Sequence, residues 1–138
     1  MVEVEVNETI EAPVEEVWAG IRDFGDLRWG GIQKCQVEGH GLGAVRTIRV
    51  RAGLAVQERL EALDDAGHCF SYSVVEPTIL PVVNCLAEVR LSADDGHTAV
   101  SWSGRFEPNG VTEEQAIRLM RGIYANGVRG MKRTFAQG

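Results

Sequence analysis

In Leu86-Ala87-Glu88-Val89-Arg90-Leu91-Ser92-Ala93-Asp94-Asp95-Gly96-His97-Thr98-Ala99-Val100-Ser101-Trp102-Ser103-Gly104-Arg105-Phe106, apolar and polar residues alternate on both sides of an Asp-Gly pair. That period belongs to strands with one buried face. Asp95-Gly96 between two such runs predicts a two-residue hairpin, whose turn needs positive φ at both central positions. Pairing Asp94 with His97 sets Leu91 opposite Val100, Val89 opposite Trp102, Ala87 opposite Gly104 and Cys85 opposite Phe106, all apolar on one face.

Working outward, the same alternation fills the span from Ile32 to Pro108 with six strands. The breaks fall at Gly39-His40-Gly41-Leu42-Gly43, Ala52-Gly53, Asp64-Asp65-Ala66-Gly67, Pro77 to Pro81 and Asp95-Gly96. A first strand, Val2 to Ile10, precedes Pro13 and a short helix with Val14, Val17, Trp18 and Ile21 on its buried stripe. Phe24, Leu27 and Trp29 fall on a second short helical turn ended by Gly30-Gly31. After Pro108 comes the strongest helix, which runs to about Phe135. Thr112 and Gln115 form a capping box, with Glu113 and Glu114 at the positive end of the dipole and Lys132 and Arg133 at the negative end. Its apolar arc holds Ala116, Ile117, Leu119, Met120, Ile123, Tyr124, Val128, Met131 and Phe135, so one whole side is expected to be buried. Gly127 lies in the middle of that arc and Gly130 inside it, while Gly122 lies on the polar side. Glycine there costs about 1 kcal/mol relative to alanine. A close helix-to-sheet approach and a cavity that accepts a ligand both fit this placement.

The chain has 138 residues, 44% hydrophobic and 25% charged, with 20 acidic against 14 basic side chains and a net charge of -6. One domain over residues 1–138 with one sizeable core is expected. The acidic balance argues against nucleic acid as a partner. No apolar run approaches the roughly 18–20 residues that cross a bilayer, so membrane insertion is not expected. Met1-Val2-Glu3-Val4-Glu5 carries no basic and apolar leader, which leaves the cytoplasm as the expected location. Cys35, Cys69 and Cys85 lie in alternating or apolar segments and read as reduced thiols. His40, His68 and His97 fall in turns or at strand ends, without the spacing to other ligands that a metal site needs, so no metal or other cofactor is expected. The loop of Gly39, Gly41 and Gly43 leads into a strand, so it offers no helix terminus to a phosphate.

Strand parity singles out three polar side chains. Arg46 shares the inward parity of Ile48 and Val50, Glu58 that of Val56 and Leu60, and Tyr72 that of Phe70 and Val74. Closing one hairpin on Arg51-Ala52-Gly53 pairs Val50 with Leu54 and Arg46 with Glu58. Closing the next near Asp65 pairs Glu58 with Tyr72. The expected row is Arg46, Glu58, Tyr72 across three adjacent strands. A guanidinium and a carboxylate facing inward are costly unless paired, so a charge-assisted pair follows. Such a row serves either as a structural ion pair or as the polar end of a pocket. Glu76 shares Tyr72's parity beside Pro77, either at a pocket mouth or as a solvated loop carboxylate.

The order of elements resembles the helix-grip fold of the START/Bet v 1-like superfamily over the entire chain. Ile10-Glu11-Ala12-Pro13 with Val17-Trp18, Glu38 to Arg46, and Glu58-Arg59-Leu60-Glu61 are similar to its bacterial polyketide cyclase/dehydrase-like branch. So are Glu76-Pro77, Leu80-Pro81-Val82, Trp102 and Phe106-Glu107-Pro108. The resemblance implies an α+β fold: a seven-stranded, curved antiparallel sheet wrapped around a long carboxy-terminal helix, with two short helices after strand one. It also implies a cavity between helix and sheet, entered near the loops 39–43 and 77–81. An aromatic residue, usually Tyr, is expected where this chain has Cys85.

On that reading Trp102 and Phe106, with Met120, Ile123, Tyr124 and Met131, wall the cavity; Cys85 and Gly127 border it; and Trp29 lies at its closure or on the surface. Plain core packing is the other use of the wall residues. The expected function is binding of a hydrophobic polyketide, steroid or lipid-like molecule with one polar end, by a monomer or homodimer. The alternative is a polyketide cyclase or dehydratase in which Glu58 and Tyr72 move protons and Arg46 anchors a carbonyl. A cavity filled by the protein's own side chains is a third reading.

Overall fold

The computed structural model describes residues 1–32, 35–51 and 53–136. Strand β1 (Val2–Ile10) is followed by helix α1 (Val14–Ile21) and a single 3-10 turn (Arg28–Gly30). Then come β2 (Gln36–Glu38), β3 (Val45–Arg51), β4 (Leu54–Asp64), β5 (Cys69–Val74), β6 (Val82–Asp94), β7 (His97–Pro108) and helix α2 (Glu113–Phe135). The strands form one curved antiparallel sheet in the order β1-β7-β6-β5-β4-β3-β2. Every β-hairpin read from the sequence joins neighbours, and β1 closes onto β7, with Val2 opposite Phe106 and Ile10 opposite Thr98.

The β6–β7 hairpin keeps the expected register from Asp94–His97 through Ala87–Gly104, on a turn with Asp95 at φ 53° and Gly96 at 87°. Beyond that, three bulges alter the pairing. On β3, Arg49 faces Ala55 and Arg51 faces Leu54, so Val50 is the extra residue, does not pair with Leu54, and is exposed. The Ala52 half of the expected turn lies outside the described residues. On β4 the ladder slips between Leu60 and Ala62, and on β6 between Val83 and Leu86, where Asn84 (φ 54°) and Cys85 together oppose Phe106. Each bulge bends its strand and adds local twist, which is how a sheet wraps a helix.

Helix α2 starts at the expected capping box: Thr112 Oγ1 accepts from Gln115 N at 3.1 Å and Gln115 Oε1 from Thr112 N at 3.0 Å. It lays Ala116, Met120, Tyr124, Val128 and Met131 on the sheet, each large side chain contributing about 1.5–3 kcal/mol by burial. One expectation fails here. Leu119 is 42% exposed and Ile123 37%, because α2 makes its main contacts with β1, β7 and the 3-10 turn. The flank of its apolar arc that looks toward β3 and β4 is left uncovered. The same flank is closed again at Gly130, where the backbone of the 3-10 turn presses so close that a Cβ would lie 2.7 Å from Trp29 O. Lys132 Nζ reaches Glu8 at 2.8 Å and ties the end of the helix to β1.

Candidate functional site: a cavity with an ion pair at its polar end

Arg46 and Glu58 stand directly opposite each other on β3 and β4. Arg46 Nε lies 2.8 Å and Nη2 2.7 Å from Glu58 Oε1, and Nη1 donates to Phe24 O at 3.0 Å. The guanidinium lies over the Phe24 ring, 4.0 Å from its centroid, and 5.1 Å from that of Tyr72. Arg46 is 3% exposed and the Glu58 side chain 12%. Removing both charges from water costs several kcal/mol each, and their attraction with the accompanying hydrogen bonds and ring contacts offsets this. The pair is thus close to neutral for stability as a unit, and neither member is tolerable alone.

Tyr72 does not sit opposite Glu58 as the parity argument expected. It faces Leu60, and Glu58 faces Val74. The turn after β4 is centred beyond Asp65, since Asp64 pairs with Cys69, and the bulge at Glu61 takes up one residue. Inward parity survives this shift, so Tyr72 still reaches the pair, one step further along the sheet. Its hydroxyl accepts from Trp102 Nε1 at 3.1 Å. Burial, followed by the charge of Glu58, raises the Tyr72 pKa well above that of an ordinary phenol. The phenol is therefore a neutral hydrogen-bonding group.

These three side chains form the polar end of a cavity of about 300 Å³ between α2 and the sheet. Its apolar wall is made by Leu27, Trp29, Ile48, Val56, Leu80 and Trp102, with Ile123, Asn126 and Gly127 from α2 and the exposed Val50 at its mouth. The Trp29 ring packs against Trp102 at 6.0 Å. Trp29 is therefore a wall residue, and its buried Nε1 has no hydrogen-bond partner among the described residues. Gly127 combines both uses that its position allowed: it borders the cavity and admits the Trp102 indole.

Other residues expected at the site lie elsewhere. Phe106, Met120, Tyr124 and Met131 are fully buried in the solid part of the core. Tyr124 stacks on the far side of Trp102 at 5.6 Å, and its hydroxyl fills the space above Gly104, where a Cβ would collide with it. Cys85 is buried beside that hydroxyl, and burial pushes its thiol up to about 11. A phenol thus occupies this region, supplied by α2. Glu76 is exposed and structural: its Oε2 accepts from Asn84 N at 2.7 Å and so holds the β6 bulge. Of the two loops expected at the entrance, 77–81 contributes Leu80; the loop 39–43 instead bonds to Leu60 through Gly43 N at 2.8 Å and does not line the cavity. Sequence reasoning missed Leu27, Ile32 and Asn126, of which Asn126, beside Gly127, carried a positional hint; Leu80 lay in a loop expected at the entrance.

Among the described residues there is no group of three or more His, Cys, Asp or Glu side chains that could hold a metal ion. No described helix is long and apolar enough to cross a membrane.

A sheet gripping one long helix, with a part-apolar cavity between them, defines a Bet v 1-like helix-grip protein. Residues 1–136 match the family described as polyketide cyclase / dehydrase and lipid transport, and the chain belongs to that family. It is similar to the protein XoxI from Bacillus cereus, at 29% identity over 98% of this chain and 96% of that one, with a TM-score of 0.89. A curated relative is the abscisic acid receptor PYL6 of Arabidopsis thaliana, 37% identical over 78 residues. That match takes in 51% of this chain and 36% of the receptor, so the chain spans about a third of that relative's length. Ara h 8.0201, 17% identical over 96% of this chain and 95% of that one at a TM-score of 0.77, shares the fold.

Proposed function

We propose that the protein binds a small apolar molecule carrying one polar group, with the apolar body against Trp29, Trp102 and Val56 and the polar group at Glu58 and Tyr72. The observation that carries this reading is the cavity of about 300 Å³ itself, apolar along its wall and ending on a buried ion pair. It sits at the lower limit of ordinary small-molecule pockets, roughly 300–1,000 Å³. The ligand-binding character of the family and of the abscisic acid receptor among its relatives supports the same reading. Native mass spectrometry of freshly purified protein tests it. A retained small molecule that is lost in Val56→Phe, which adds volume to the cavity wall, with far-ultraviolet circular dichroism showing the fold intact, supports it; undiminished retention in that variant counts against the cavity as the site.

A cyclase or dehydratase is the second reading, favoured by the family's description and by Glu58 and Tyr72 sharing one desolvated wall. Turnover of a poly-β-ketone that disappears in Glu58→Gln, while the variant remains folded, is its test. Unchanged turnover in that variant removes Glu58 from the chemistry.

A further inference from the structure

The hydrogen-bonding groups left free around the cavity define what it takes. Arg46 already uses three of its five N–H groups on oxygens inside the protein, Nε and Nη2 at Glu58 Oε1 and Nη1 at Phe24 O. Its charge is spent on the same carboxylate. Glu58 Oε2 carries no hydrogen bond among the described residues. The Tyr72 hydroxyl accepts from Trp102 and has no acceptor for its own proton among them. Trp29 Nε1–H has no partner among the described residues, but it is sealed off from the open space of the cavity. The free set is therefore one charged acceptor, Glu58 Oε2, with the Tyr72 hydroxyl and the two remaining Nη–H groups of Arg46 as donors.

A hydroxyl group matches that set, since it donates and accepts at once. A carboxylate brings a second negative charge toward Glu58, whose charge already balances that of Arg46, the cation among the described lining residues. An ammonium satisfies Glu58 and leaves the Tyr72 and Arg46 donors without an acceptor. Size narrows the class further. At roughly 30 Å³ per water-sized unit, a cavity of about 300 Å³ holds on the order of ten such units, one or two rings.

Resting on the reading of this cavity as a ligand site, we propose that it takes a neutral one- or two-ring compound bearing a hydroxyl group. The hydroxyl donates to Glu58 Oε2 and accepts from Tyr72 Oη–H, and carboxylates are rejected.

Three probes of one shape test this: 2-naphthol, naphthalene and 2-naphthoate, each titrated at neutral pH into the full-length, 15N-labelled protein. The three tryptophans give three indole N–H signals. Trp18, bonded to Asp65 at 2.9 Å away from the cavity, is the internal reference. The expected result is that 2-naphthol shifts the Trp29 and Trp102 signals and binds about tenfold or more tighter than naphthalene, as a hydrogen bond to a charged group gives. 2-Naphthoate leaves both signals in place at the same concentration. Binding of 2-naphthoate as tight as that of 2-naphthol overturns the proposal. Equal affinity for 2-naphthol and naphthalene, with both signals shifted, overturns the hydroxyl preference and leaves the cavity as an apolar site. If no probe moves either signal, the ligand-site reading and this proposal fall together.

Discussion

The indole of Trp102 occupies the place of a side chain at Gly127: a Cβ on that glycine would collide with the indole Cζ3. The helix gives up about 1 kcal/mol of propensity there, and a large aromatic surface is buried against its backbone in return. Gly130 makes the same exchange with main chain, at 2.7 Å from Trp29 O.

Alanine at these glycines should therefore destabilise the protein although alanine is the better helix former. Gly127→Ala and Gly130→Ala are each expected to cost about 1–3 kcal/mol by overpacking, Gly130→Ala the more because carbonyl and Cα atoms cannot rotate aside. Gly122→Ala, with nothing within 4 Å of its Cβ, should stabilise by up to about 1 kcal/mol. Urea midpoints of the three variants check the order.

The Arg46–Glu58 pair should behave as a unit. Glu58→Leu alone leaves a buried cation and is expected to cost about 3–5 kcal/mol. Combining it with Arg46→Met should recover most of that loss. A double-mutant cycle by urea denaturation measures the coupling. Additive losses would show that the charges do not depend on each other.

Tyr124 is fully buried, its hydroxyl meets only the weak Cys85 thiol among the described residues, and that hydroxyl rests on Gly104. Tyr124→Phe should therefore change stability by no more than about 1 kcal/mol, since a thiol is a weak partner for a buried hydroxyl. Gly104→Ala should be strongly destabilising in the native background and much less so with Phe at position 124. Thermal melts of the two singles and the double variant check this.

Asp65 should keep its charge further into acid than an ordinary aspartate. Hydrogen bonds from Arg22 and Trp18 hold its carboxyl at about 2, against an ordinary aspartate value near 3.9. A depressed carboxyl pKa contributes stability that is fully present above about pH 4 and lost as pH falls through 2. Asp65→Asn should flatten that part of the pH–stability curve. The Asp65 carboxyl carbon, followed by NMR, should titrate near pH 2; a midpoint near 4 would show that the Arg22 contact is not held in solution.

The regular ladders were legible from alternation alone. Residues 86–106 carried their own register, and Thr112 with Gln115 marked where α2 begins. What escaped were the bulges at Val50, Glu61 and Asn84, because an extra residue in a strand leaves no composition signal and is fixed by how the whole sheet bends. The turn centred beyond Asp65 moved Tyr72 opposite Leu60, the bulge at Glu61 restored its inward parity, and the bulge at Val50 turned that residue outward. The site was half legible for a related reason. Parity put Arg46, Glu58 and Tyr72 on the inner face, but which of the inward apolar residues border empty space depends on where α2 lies. Met120 and Tyr124 share the helix's apolar arc with Ile123, yet the first two meet β1 and β7 while Ile123 meets the gap.

The two sides of the cavity differ in how firmly they are held. Trp29 is bolted to α2, since its carbonyl accepts from Thr134 Oγ1 at 3.2 Å and its turn sits flush on Gly130. Among the described residues no hydrogen bond fastens Val50 or Leu80 to the helix in the same way. Helix and indole thus form the anchored side of the interior, the fixed edge against which the sheet side is measured.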